Sequence, residues 1–189
     1  LDYITIASTC NAFDFGDCDD EKTNLSGLSN DTRGIWGGGV LTGAGGRLNV
    51  IEYITIATTG NGTDFGDLPS EQTENAAVAS PTRGVFAGGT TSGTPDIDDM
   101  EYVTIATTGN TTNFGTLTTG DTARMAGCAS DVRGLYGGGI DSGSSDTNII
   151  QYITIASTGA STDFGDLTDT NADMGACSSN TVGVFAGGE

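Results

Sequence analysis

The feature that most constrains this chain is a phrase written four times. Tyr152-Ile-Thr-Ile-Ala-Ser-Thr-Gly-Ala-Ser-Thr-Asp-Phe-Gly-Asp-Leu167 recurs in near copies that begin at Tyr3, Tyr53 and Tyr102. Starts spaced by 50, 49 and 50 residues fall in the range of solenoid and propeller repeats. The sequence therefore reads as one domain, residues 1–189, built from four repeats at about 3–52, 53–101, 102–151 and 152–189. Apolar residues are scarce, at 35% against about 45–50% in ordinary globular chains. They return at the same phase in each repeat, so they must be shared between neighbours rather than buried within one unit.

Within a repeat the pattern is that of short strands. Tyr3-Ile-Thr-Ile-Ala7 and its copies alternate and are rich in β-branched residues. Neither face of that segment carries charge, which predicts that both are covered. A turn of Gly, Asn and Thr leads to a second strand carrying Phe15, Phe65, Phe114 or Phe164, one large apolar anchor per repeat. Polar connections at 19–22, 69–72, 118–121 and 168–171 lead into strands of small residues at 25–29, 75–79, 125–129 and 174–178, which suit a crowded innermost position. Each repeat then runs through an apolar pair into glycines, as in Ile35-Trp36-Gly37-Gly38-Gly39, where side chains would not fit.

An apolar pair followed by double glycine, a variable loop, a Tyr and a later large aromatic resembles the kelch repeat of galactose-oxidase-like propellers. The resemblance covers all four units. It departs in having Phe in place of the second aromatic, Trp, and in matching the inner-strand Arg only at Arg124, with Asn24, Glu74 and Asp173 elsewhere. The wording around Tyr-Ile-Thr-Ile and Asp-Phe-Gly-Asp-Leu is also similar to repeats of bacteriophage virion and tail proteins and of long extracellular repeat proteins. The resemblance implies an all-β, four-bladed kelch-like β-propeller in which strands from residues 3–18 close the sheet begun by residues 174–188. Such closure leaves no strand edge exposed. Should it fail within one chain, the same half-blades would complete a neighbouring copy and make a fibre.

The chemistry is read mostly by exclusion. The chain has no His, which removes Ser-His-Asp and Cys-His catalysis, imidazole zinc sites and the copper site of galactose oxidase. A net charge of -19 repels phosphate backbones and anionic membranes. No run reaches the roughly 20 apolar residues that span a bilayer, so neither nucleic acid nor membrane insertion is expected. The chain opens at Leu1 without Met, as a processed chain or a piece of a longer one would. Abundant Thr, Ser, Asn, Gly and Asp with almost no Lys fits an extracellular or virion surface.

Arg33, Arg83 and Arg133 share one phase, in the turn before the Gly-Gly strand, with Val182 in the fourth copy. Three such arginines resemble the carboxylate-binding triad of sialidases, but symmetry-equivalent positions argue first for a repeated structural duty such as bonding carbonyls. In a kelch-like blade these turns lie opposite the acidic connections, which predicts a disc with an arginine face and an acidic face, suited to head-to-tail stacking of copies. Asp96, Asp98 and Asp99 form the best calcium candidate, without EF-hand spacing. Cys128 and Cys177 occupy equivalent inner-strand positions, open to a disulfide or to two buried thiols. No cofactor is expected. Together these point to a non-enzymatic structural or adhesive module, a subunit or bead of a filament or phage appendage. A carbohydrate-binding propeller, taking surface glycans, is the alternative, and an arginine-triad glycosidase a remote one.

Overall fold

The computed structural model describes residues 1–43, 45–92 and 96–188. Among them the chain is all-β, with strands and no helix. Each complete unit is built on four antiparallel strands paired in the order in which the chain makes them, and in the first the short strand Thr90–Thr91 adds a fifth, paired with Thr73 and Gln72. The first unit pairs an inner strand Ser26–Ser29 with Arg33–Gly37, then Leu48–Thr55, then the outer Thr63–Thr73. The second runs Ala76–Ala79, Arg83–Ala87, Asp99–Thr104 and Thr112–Thr116. The third runs Ala126–Ala129, Arg133–Gly137, Ile149–Thr154 and Thr162–Asp166.

The outer strand of each unit carries a β-bulge, and the bulge explains the Asp-Phe-Gly motif. Ile51 pairs with Gly66 and Glu52 with Asp64, so Phe65 is the extra residue, and Phe114 is extra in the same way. The Asp64 carboxylate accepts the Gly66 N–H at 3.0 Å and fixes the kink. This turns Phe65 inward, where its ring meets Tyr53 edge-on at 5.8 Å.

Neighbouring units are stitched together at two radii. On the inside, Asn24, Glu74, Arg124 and Asp173 all take left-handed backbone angles, with φ of 54–60°. A side chain costs roughly 1–2 kcal/mol there, and the return is a ladder between units: Glu74 N–H donates to Asn24 C=O, Arg124 N–H to Glu74 C=O, and Asp173 N–H to Arg124 C=O. On the outside, the Gly60, Gly109 and Gly159 N–H groups each donate at 2.7 Å to the carbonyl of the preceding unit's Phe15, Phe65 or Phe114.

The apolar residues fill the space between units, as their shared phase predicts. One core joins Leu28, Ile35, Ile51 and Phe65 of the first unit to Phe86, Val103 and Ile105 of the second. The other joins Val78, Val85, Met100 and Phe114 of the second to Tyr136, Ile153 and Ile155 of the third.

The two ends differ from the expected closed ring. A hairpin of Asp2–Tyr3 and Phe13–Asp14 stands at one end, and a hairpin of Gly175–Ser178 and Gly183–Ala186 at the other. Each pairs only with itself, Tyr3 with Phe13 and Val184 with Cys177. Among the described residues no ladder joins Val184 to Tyr3, so the sheet curls without the closure between terminal strands.

Candidate functional site

The arginines lie in turns built the same way in every unit. Asn30 Oδ1, Ser80 Oγ or Ser130 Oγ accepts the arginine's N–H at 2.9–3.1 Å and closes the turn from inner to second strand. From there Arg33, Arg83 and Arg133 lie over the Tyr53, Tyr102 and Tyr152 rings at 4.4, 4.1 and 4.4 Å. Arg33 also donates to Ile105 C=O at 2.7 Å, and Arg83 to Ile155 C=O at 3.0 Å, each bond crossing into the next unit. Cation–π contact and a charge-assisted bond together hold two of the three guanidinium groups inside the fold. Each lies over its own Tyr, and Arg33 and Arg83 each serve a separate junction. Asp31 and Asp131 stand in the same turns, so that end of the molecule is mixed in charge rather than basic.

Cys10, Cys18, Cys128 and Cys177 are all free thiols, which corrects the disulfide considered for Cys128 and Cys177; of the two buried thiols considered beside it, Cys128 is buried and Cys177 is exposed. Cys128 Sγ packs over Gly183 of the next unit, so close that a Cβ there would lie 2.8 Å from it, as Val78 packs over Gly134. Burial, then the neighbouring Cys177, pushes the Cys128 thiol up, away from thiolate chemistry.

Of the calcium candidates, Asp99 opens a strand and pairs with Thr116, and the Asp98 carbonyl accepts Leu117 N–H at 2.8 Å. Burial followed by the Asp121 carboxylate raises Asp96, and burial followed by Asp98 and Asp121 raises Asp99. Among the described residues no group of three or more His, Cys, Asp or Glu is placed to hold a metal.

The sequence reading missed a buried polar position in the third strand, just before each Tyr. Glu52, Glu101 and Gln151 are all buried there. Glu52 takes the Asp19 N–H at 2.9 Å, the Trp36 Nε1–H at 3.0 Å and an ion pair with the equally buried Lys22. Gln151 accepts from Thr118 N–H at 3.0 Å and Ser161 Oγ at 2.6 Å, and donates to Thr119 Oγ1 at 2.7 Å. Each thereby ties the polar connection of the preceding repeat to its own strand. The available signal was a charged or amide residue recurring one place before the Tyr.

Glu101 lacks the cation, because Gln72 stands where Lys22 does, and it lacks the backbone donor, because Pro69 stands where Asp19 does. Burial, then Asp99, raises its carboxyl above the usual range, with Asn113 and Thr111 pulling the other way through hydrogen bonds. A raised folded-state value contributes stability below the unfolded carboxyl pKa, and this is lost as pH rises through the folded value. Glu101→Gln, which copies Gln151, is therefore expected to stabilise the chain at pH 7 by about 1 kcal/mol, with the gain disappearing near pH 4. Thermal melts of both proteins at the two pH values measure it.

A cleft of about 500 Å³ opens between the third unit and the C-terminal hairpin, beside Arg133, Leu135, Phe164, Val182 and Phe185. It lies where the first three units place a third strand, and this hairpin has none. No family model matches the chain, and no curated protein matches it.

Proposed function

We propose that this chain is a kelch-like propeller module with a structural or adhesive rather than enzymatic duty, a subunit or bead that joins copies of itself head to tail on an extracellular or virion surface. The observation that carries this reading is the pair of complementary ends. The C-terminal hairpin has the inner and second strands of a unit, and the N-terminal hairpin has the third and outer strands. Both expose apolar side chains that are covered in the second and third units: Ile6 is 95% exposed, whereas its equivalents are 44% exposed at Ile56 and 0% at Ile105 and Ile155. Phe164 is 52% exposed and its equivalent Phe114 is 2% exposed.

Four such residues, Ile4, Ile6, Phe164 and Val184, are exposed at the two ends. At roughly 1.5–3 kcal/mol per fully buried large side chain, covering them gives about 6–12 kcal/mol. Association itself costs on the order of 4–15 kcal/mol, so each joint is weak and reversible, and assembly depends on concentration. The carbohydrate-binding reading gains nothing comparable: Trp36 is buried, and the exposed Tyr3, Phe13 and Phe164 all sit at the unpaired ends.

Sedimentation velocity over a wide concentration range, with negative-stain electron microscopy of the same samples, tests the proposal. Species that lengthen or close into rings as concentration rises are expected. Single four-unit particles at every concentration would overturn it.

A further inference from the structure

Resting on the assembly reading above, we infer that the joint between copies is a composite unit: residues 1–17 of one copy supply the third and outer strands to the C-terminal hairpin of another. The outer hook between units is made three times within the chain, and the Asn and arginine contacts beside it twice each, and each of these has an unused half at the two ends.

The outer hook comes first. Gly60, Gly109 and Gly159 donate to Phe15, Phe65 and Phe114. The next bond in that series runs from Cys10 N–H to Phe164 C=O. Cys10 stands where the others have Gly; a Cβ built on Gly60, Gly109 or Gly159 meets nothing within 4 Å, but Gly109 and Gly159 take φ of +153° and +154°, so Cys10 has to offer its N–H from a different backbone angle. Asn61 and Asn110 accept the N–H of Asp17 and Asp67 at 3.0 and 3.1 Å. Asn11 keeps that side chain and would take the N–H of Asp166. On the receiving side, a Cβ on Gly16, Gly66 or Gly115 would run into the backbone of the following turn, while Gly165 has nothing within 4 Å. Gly165 keeps the glycine backbone, with φ of +138°, and the space in front of it is empty.

The arginine contact continues the same series. Arg33 bonds Ile105 C=O and Arg83 bonds Ile155 C=O. The next acceptor is Ile6 C=O, and the next donor, Arg133, already lies over Tyr152. Sheet register follows from the first unit, where Arg33 pairs with Thr55, Gly34 with Ile54, Ile35 with Tyr53 and Trp36 with Glu52. Shifted by one repeat, Val182 faces Thr5, Gly183 faces Ile4, Val184 faces Tyr3 and Phe185 faces Asp2. The strand so placed fills the 500 Å³ cleft beside Arg133 and Phe164. This is strand addition to an open sheet edge, with main-chain bonds for affinity and the cleft for register. Because the joined surfaces are different, the contact is heterologous and either closes into a ring of copies or runs on.

The test is a register-specific crosslink in the full chain. In the first unit Gly34–Ile54 and Trp36–Glu52 are the pairs flanked by the hydrogen bonds of Thr32 and Ile56. Val182–Thr5 then falls at a non-hydrogen-bonded position, whose spacing suits a cross-strand disulfide. Val182→Cys with Thr5→Cys, oxidised mildly at a concentration where the unsubstituted chain self-associates, is expected to give covalent dimers and longer species at least tenfold beyond the background from the native cysteines. Val182→Cys with Ile4→Cys, shifted by one residue to the opposite face, is expected to stay at that background. Equal yields from both pairs would overturn the register, and a link formed within one chain would overturn the exchange between copies. Self-association that persists with no Val182–Thr5 link leaves the assembly reading standing and removes this joint. Absence of self-association in the unsubstituted chain removes the assembly reading, and the joint with it.

Discussion

Gly115→Ala is expected to destabilise the chain by about 3 kcal/mol or more, against about 1 kcal/mol for Gly165→Ala at the equivalent place one repeat later. Both glycines have φ near +140°, at +148° and +138°. That region is essentially closed to a side chain and costs of order 1–3 kcal/mol where it is forced. The strain is common to the two substitutions; the surroundings are not. A Cβ on Gly115 would overlap the Gly159 carbonyl, whereas one on Gly165 meets nothing within 4 Å. To relieve the overlap the turn at 159–161 must lift, which loses the Gly159 N–H bond to Phe114 C=O and the Ser161 N–H bond to Thr116 C=O. It also loosens Phe114 in the core shared by the second and third units. Urea melts followed by circular dichroism, taken at a concentration too low for self-association, give both values. A difference under about 1 kcal/mol between the two variants would mean that the turn does not press on Gly115. If copies join as proposed, Gly165→Ala, mild in the single chain, is expected to weaken self-association, because its methyl group would stand where the turn of another copy would dock.

The comparison of these two glycines shows what the sequence carried and what it did not. The motif Asp-Phe-Gly was legible because a bulge needs a glycine backbone and a carboxylate or amide to cap it, and those needs recur with the repeat. The strands of small residues were legible for the same reason, since inner strands that touch leave little room. Two other features were not. Asn24, Glu74, Arg124 and Asp173 share a left-handed backbone held by a ladder between units, and four such different side chains give no common chemical signal. The third strands begin before the alternating Tyr-Ile-Thr-Ile segment, at Leu48, Asp99 and Ile149, and end at its Thr. Backbone bonds to Gly38, Gly88 and Gly138 extend them at the front, which no side-chain pattern announces.

Exposure at the ends was illegible for a different reason. Ile6 and Ile105 occupy the same place in the same phrase, and one is bare while the other is fully covered. Burial in a repeat protein belongs to the neighbour as much as to the residue. The arginines were legible in part. Their equivalent positions argued for a repeated structural duty, and Arg33 and Arg83 each hold a carbonyl of the following unit, whereas nothing in the sequence announced the Tyr ring under each guanidinium.

Lys22→Met is expected to cost about 3–5 kcal/mol at pH 7, the scale for leaving one partner of a buried ion pair behind. Glu52 and Lys22 have almost no exposed side-chain surface. Burial alone would push the Glu52 carboxyl up; bonds from Lys22, Asp19 N–H and Trp36 Nε1–H outweigh it and hold the group below its usual value. A lowered folded-state value contributes stability above the unfolded carboxyl pKa, and this is lost as pH falls through the folded value. With methionine at position 22 the largest of those bonds is gone and burial dominates, so the sign reverses: the neutral carboxyl is favoured, and the deficit should shrink as pH is lowered toward 4. The double variant Lys22→Met with Glu52→Gln should recover most of the loss at pH 7, because Gln151 performs the same tie in the third unit with an amide and no cation. Denaturant melts of the three proteins across that pH range decide between charge and packing. A loss for Lys22→Met that is constant with pH and unrepaired by Glu52→Gln would assign the role of Lys22 to its buried methylene stem instead of its ammonium group.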